Sequence, residues 1–149
     1  MPRASGSNGR FSPLQLKSQQ SADLIGSPDP VSKIRPLRMR SDPTQSALER
    51  DTALRIEAVQ QWNHQFWHHN NTAFAEEREK YVQKLMSERG VGREEITPED
   101  ISVFYKQFLD ERKAVHRNYN WTWYKHNASL LWPCFRISLT RLRRLLFRR

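Results

Sequence analysis

From Ile56 to Leu109 the apolar side chains return every three or four positions and never alternate, so this stretch reads as helices without a credible strand. Ile56, Val59, Trp62, Asn63, Phe66 and Trp67 share an arc of about 140° when each residue turns by about 100°. Phe74, Tyr81, Val82, Leu85 and Met86 form a second stripe, closed by Gly90. Thr97-Pro98-Glu99-Asp100 is a strong start signal, with a hydroxyl cap, a proline in the first turn and two acids. Ile101, Phe104, Tyr105, Phe108 and Leu109 then follow at helical spacing.

Upstream, Pro28, Pro30, Pro36 and Pro43 exclude regular structure from residues 23–43, while Leu24, Ile25, Val31, Ile34, Leu37 and Met39 give that arm apolar points with which to lie on something. Ser41 or Asp42 is expected to cap the first helix, with Pro43 in its first turn. Asn70-Asn71-Thr72 is expected to end that helix and begin the next. A last helix is expected from about Asn118, kinked at Pro133. The expected fold is all-α, a small hairpin or bundle of three to four helices. It divides into 1–22, disordered; 23–43, an extended proline-rich arm; 44–127, the helical domain; and 128–149, a basic amphipathic C-terminal helix.

The stretch "WNHQFWHHNNTAFAEERE", residues 62–79, could suggest a metal or haem site. On the wheel His64 and His68 lie together on a polar face beside Glu57, Gln60 and Gln61, and His69 points elsewhere. A structural zinc needs four ligands and a catalytic one three, and no third His or Cys stands at suitable spacing. Haem lacks both a Cys-pair attachment and an apolar pocket pattern. Neither metal nor cofactor is expected, and the histidine face is assigned to solvent. The aromatics read instead as a packing seam against Phe74 and Tyr81 of the following helix. Asn63, inside the apolar arc, must be satisfied across the seam or by a partner. Glu76, Glu77 and Glu79, interspersed with Arg78 and Lys80, read as a solvated face. Glycine-rich phosphate loops and nucleophile-elbow patterns are absent, so no enzyme class is indicated.

Charge is distributed unevenly. Of the net +9, residues 117–149 contribute eight basic side chains and no acid, whereas 41–116 carry fourteen acids against ten bases. Around the C-terminal helix, Leu139, Leu142, Leu145 and Leu146 join Phe135 in an arc of about 120°, with Arg136, Arg141, Arg143, Arg144 and Arg148 outside it. A leucine face among arginines suits a helix lying on an anionic bilayer. The alternative is a tail that binds mitochondrial RNA or the ribosome, with Trp121, Trp123 and Tyr124 as stacking groups; the acidic middle and the lack of a known RNA module argue against it, and nucleic acid is not expected as a partner. Cys134 is the single cysteine, and no apolar run approaches the length that spans a bilayer. Residues 1–22 hold Arg3, Arg10 and Lys17, frequent serine and no acid, which fits a mitochondrial presequence or an ordinary polar tail.

Three stretches, "DLIGSPDPVSKIRP" (23–36), "WNHQFWHHNNTAFAEEREKY" (62–81) and "FYKQFLDERKAVHRNYNWTWYKHN" (104–127), together resemble the mitochondrial cytochrome c oxidase assembly factor 8 family, also called apoptogenic protein 1. The resemblance implies a non-enzymatic mitochondrial protein, peripheral on the matrix face of the inner membrane, that supports biogenesis of respiratory complex IV. It further implies links to oxidative-stress protection and apoptosis. Complex IV subunits or assembly intermediates are then the expected partners, beside anionic inner-membrane lipid. The residues it marks form a recognition surface: Asp23, Ile25, Gly26, Pro28, Asp29, Arg35 and Pro36 in the arm, Trp62, Asn63, Phe66 and Trp67 in the first helix, and Trp123 and Tyr124 further on.

Overall fold

The computed structural model describes residues 22–147. Two long helices, α1 (Ala47–Arg89) and α2 (Pro98–Leu146), form an antiparallel hairpin. At 1.5 Å per residue they extend about 65 and 74 Å. A 3-10 turn at Arg93–Glu95 lies in the connection between them. The arm adds two short antiparallel strands, β1 (Leu24–Ile25) and β2 (Leu37–Arg38), with Leu24 opposite Arg38 and Ile25 opposite Leu37.

The expectation of three to four helices therefore gives way, among the described residues, to two long ones, and the all-α reading gains a minimal strand pair. Asn70-Asn71-Thr72 does not break α1, because both asparagine side chains are engaged across the fold rather than capping. Asn70 Oδ1 faces His116 Nε2 of α2 at 3.1 Å, and Asn71 Nδ2 donates to the Val31 carbonyl of the arm at 2.8 Å. The last helix does not start afresh near Asn118: α2 runs unbroken through it and on to Leu146, with Pro133 in its interior.

The helix ends follow from local chemistry. Ser46, not Ser41 or Asp42, caps α1 in a reciprocal box: its hydroxyl accepts from Glu49 N–H at 3.3 Å and its own N–H donates to Glu49 Oε2 at 2.9 Å. Asp42 instead organises the preceding turn, its Oδ1 accepting from the Thr44 N–H at 2.7 Å. Gly90 closes α1 at φ 67°, where a side chain would be strained, and Thr97 caps α2 with Asp100 completing the box. Arg89 Nη1 clamps Asp100 across the turn at 3.0 Å.

Burial is confined. Among the described residues the buried apolar side chains are Val82, Leu85, Ile101, Phe104 and Phe108, all near the connection. Phe74 extends this core, its ring 5.1 Å from that of Phe108 and edge-on to it.

The arm runs antiparallel along α1. Successive ties join Val31 to Asn71, the Arg35 carbonyl to Gln60 Nε2 at 2.9 Å, the Met39 N–H to Glu57 Oε1 at 2.7 Å, and the Arg40 carbonyl to Gln45 Nε2 at 3.2 Å. Each is a polar side chain of α1, or of Gln45 just ahead of it, satisfying arm backbone. That is how a proline-broken segment lacking a ladder of its own is held in place.

Candidate functional site

Most of the arm residues singled out above build the arm itself. Gly26 sits where a Cβ would come within 2.6 Å of the Pro36 ring, and its N–H donates to the Pro36 carbonyl at 2.9 Å. Only glycine permits that approach. Arg35 Nη1 donates to the Gly26 carbonyl at 3.2 Å, and Asp23 Oδ1 accepts from the Arg40 N–H at 2.8 Å. Asp29 Oδ1 takes the Val31 and Ser32 N–H groups at 3.0 and 2.7 Å, bending the chain into a turn that carries Lys33 at φ 63°. Burial pushes the Asp29 carboxyl upward, but those donated N–H groups outweigh it and hold the acid below its ordinary value. Ile25 and Pro28 remain exposed.

The aromatic seam exists, but its partner is α2, since Phe74 and Tyr81 lie on the same helix as the tryptophans. Tyr119 is its centre. Its ring stacks on Phe66 at 4.0 Å and on Trp62 at 5.2 Å. Its hydroxyl accepts from Trp67 Nε1 at 2.8 Å and donates to Asn63 Oδ1 at 2.6 Å. Asn63, the polar residue in an apolar arc, is thus satisfied across the seam. Neither Tyr119 nor His116 stands out in the sequence. The misplaced amide at Asn63 was the available signal, because it required a polar partner of this kind.

The histidine face is a correction. His64 is 1% exposed, the most buried large side chain described, and lies beneath the arm with Nε2 3.7 Å from Asp29 Oδ2. The wheel assumed one seam per helix, and the arm supplies α1 with a second. The His64 and His68 rings are 5.8 Å apart, and among the described residues no three His, Cys, Asp or Glu side chains gather as metal ligands.

The last third of α2 is divided between two faces. Cys134, Ile137, Ser138 and Arg141 turn towards α1 and the arm, against Thr52, Ala53 and Ile56. Arg141 Nη2 bridges Glu49 Oε1 at 2.9 Å. The Ser46 N–H, chiefly, and Arg141 draw the Glu49 carboxyl down from 4.5 to about 2, against an upward push from burial. On the opposite face Trp121, Tyr124, Leu131, Trp132, Phe135, Leu139, Leu142 and Leu146 are exposed, Trp132 at 66% and Leu142 at 51%. Trp123, 38% exposed, packs edge-on to Tyr124 with ring centres 5.3 Å apart. At about 100° per residue the exposed apolar stripe is roughly 100° wide and about 38 Å long, and Lys125, Arg136 and Arg143 border one side of it. Arg144 is exposed as well. Arg148 lies outside the described residues, as do residues 1–21. Among the described residues no helix is long and apolar enough to cross a membrane.

Comparison with known proteins gives one consistent result. A family model described as cytochrome c oxidase assembly factor 8 matches residues 22–143, taking in the arm, the hairpin and most of the stripe. A mitochondrial protein of that family in Caenorhabditis briggsae is 35% identical over 123 residues, covering 83% of this chain and 86% of the relative. The Drosophila melanogaster family protein, also named mitochondrial, is 35% identical over 127 residues, covering 85% of this chain and 70% of its own length. Cytochrome c oxidase assembly factor 8 of Homo sapiens is 30% identical over 127 residues, covering 80% of this chain and 62% of the human protein. No solved structure matches.

Proposed function

The chain belongs to the cytochrome c oxidase assembly factor 8 family, and from that premise we propose that it acts in mitochondria as a non-catalytic assembly factor for cytochrome c oxidase, held peripherally on the matrix face of the inner membrane. The family match over residues 22–143 carries the reading, because it spans the arm, α1 and all but the last turn of α2. The α2 stripe supports the membrane half. A helix face of leucine and aromatic side chains, with cations at its border and no acid after Glu111, fits the interface of an anionic bilayer. Each nearby arginine adds about 1 kcal/mol to such binding. Tryptophan and tyrosine suit the headgroup level, where one end of the ring is dry and the other wet.

In this reading the exposed Ile25, Pro28, Trp123 and Tyr124 contact complex IV subunits or assembly intermediates, and residues 1–22 direct import. The internal bonds of Asp23, Gly26, Asp29, Arg35 and Pro36 give the arm the shape that the partner meets. Trp62, Asn63, Phe66 and Trp67 set the position of α2 against α1. Deleting the gene and resolving the respiratory complexes on native gels tests the function: assembled cytochrome c oxidase should fall selectively, and undiminished levels would refute the proposal. A fluorescent reporter carrying residues 1–22 should enter mitochondria; a diffuse cytosolic signal would remove the import claim.

A further inference from the structure

At the open end of the hairpin, Arg40 of the arm and Arg141, Arg143 and Arg144 of α2 surround a cleft of about 1100 Å³. The acid in its wall, Glu49, is already bridged by Arg141 at 2.9 Å. Among the described residues no ion pair reaches the side chains of Arg40, Arg143 or Arg144. Three guanidinium groups thus gather in a concavity whose carboxylate is spent, an arrangement that concentrates positive potential and favours an anion. Guanidinium forks match the oxygens of a phosphate in particular. The same wall includes Leu145 and Phe147, the latter 77% exposed. A free inorganic anion would leave these two side chains in water, whereas an anion joined to an apolar body would cover them.

We propose that this cleft seats the phosphodiester headgroup of an anionic phospholipid, with Arg40, Arg143 and Arg144 on phosphate oxygens and Leu145 and Phe147 against the first carbons of the acyl chains. The inference rests on the membrane reading above and deepens it by giving the bilayer contact a stoichiometric site. Arg40 is the discriminating residue. It belongs to the arm, so a tail that merely lay on the membrane would make no use of it. Headgroup binding there would also fasten the end of the arm to the end of α2.

The test is calorimetric titration of the full chain with dihexanoyl phosphatidylglycerol kept below its micelle concentration, and in parallel with inorganic phosphate and a short RNA. The lipid should bind one to one. Arg40→Gln and Arg144→Gln should each weaken it about fivefold, the loss of one cation–phosphate contact. Arg55→Gln should leave it unchanged, since Arg55 is an exposed arginine paired with Asp51. Arg40→Gln keeps the backbone N–H that ties the arm to Asp23, so weakened binding in a variant of unchanged circular dichroism reports the side chain. Wild-type affinity in Arg40→Gln, inorganic phosphate binding as tightly as the lipid, or preference for the RNA would each overturn the proposal. Vesicle flotation separates the two readings: one-to-one headgroup binding without flotation removes the membrane-lying stripe alone, and flotation with Arg40 indifferent removes the cleft alone.

Discussion

At the connection end of the hairpin Val82 and Leu85 of α1 and Ile101, Phe104 and Phe108 of α2 are all buried, whereas at the open end α1 turns Glu49 and Thr52 inward and the leucines of α2 face away. Along α2 the large apolar side chains change face: Ile101, Phe104 and Phe108 turn towards α1, whereas Leu139, Leu142 and Leu146 lie on the side away from it. The inward face of the last third carries smaller or polar groups instead, Cys134, Ser138 and Arg141 beside Ile137. An apolar stripe that meets a partner helix becomes core; one on the far side of the helix remains a surface. The connection end thus gives the fold its cohesion, and the open end, held by the Glu49–Arg141 ion pair and arm contacts, leaves an apolar face available for binding.

The largest effects should separate these ends. Phe104→Ala or Phe108→Ala should cost about 3–5 kcal/mol by urea denaturation, through lost burial and the cavity left behind. Leu142→Ala, at an exposed site, should stay within about 0.5 kcal/mol in the free protein. Comparable destabilisation by Leu142→Ala would mean that the open end carries core of its own in solution. Bilayer binding should show the reverse order: Leu142→Ser with Leu146→Ser should reduce flotation on anionic vesicles, and Phe104→Leu should not.

The middle of the hairpin should respond at an intermediate level, and there the sequence was only half readable. Tyr119→Phe takes a hydroxyl from both Trp67 Nε1 and Asn63 Oδ1, so about 1–3 kcal/mol should be lost as those part-buried groups go unanswered. His64→Ala should cost on the order of 2 kcal/mol, reflecting its place beneath the arm. A silent His64→Ala would restore the solvated face that the wheel suggested. Helical content, the Gly90 and Thr97 ends, and the aromatic arc were legible because each depends on residues close in sequence. The unbroken α1, the Tyr119 hub and the burial of His64 were not. Asn70 and Asn71 look like a helix break until His116 and Val31, 46 and 40 residues away, supply their partners. A polar face looks solvated until a proline-rich arm is known to cover it. The minimal strand pair was hidden in the same way, since two residues per strand show no alternation.

The smallest effect concerns the Glu49–Arg141 ion pair at the open end, and acid should reach it selectively. The Glu49 carboxyl is held at about 2 in the fold against an ordinary 4.5. A depressed carboxyl contributes stability that is fully present above its unfolded value and is lost as pH falls through its folded value. Glu49 should therefore release both Ser46 and Arg141 between about pH 4.5 and 2. Asp100, held low first by Arg89 and then by the Thr97 N–H, ties the other end but sits beside the buried phenylalanines, which acid does not touch. Hydrogen exchange followed from pH 7 downward should then show the first turn of α1 loosening before the segment around Val82 and Phe104. Glu49→Gln should remove most of that acid dependence at the open end, because a neutral amide neither titrates nor bridges Arg141 as an ion. Its cost at neutral pH should be about 1 kcal/mol, the typical value of a lost cap contact. Equal loosening of both ends with falling pH would show that the open end owes its closure to something other than the Glu49 bridge.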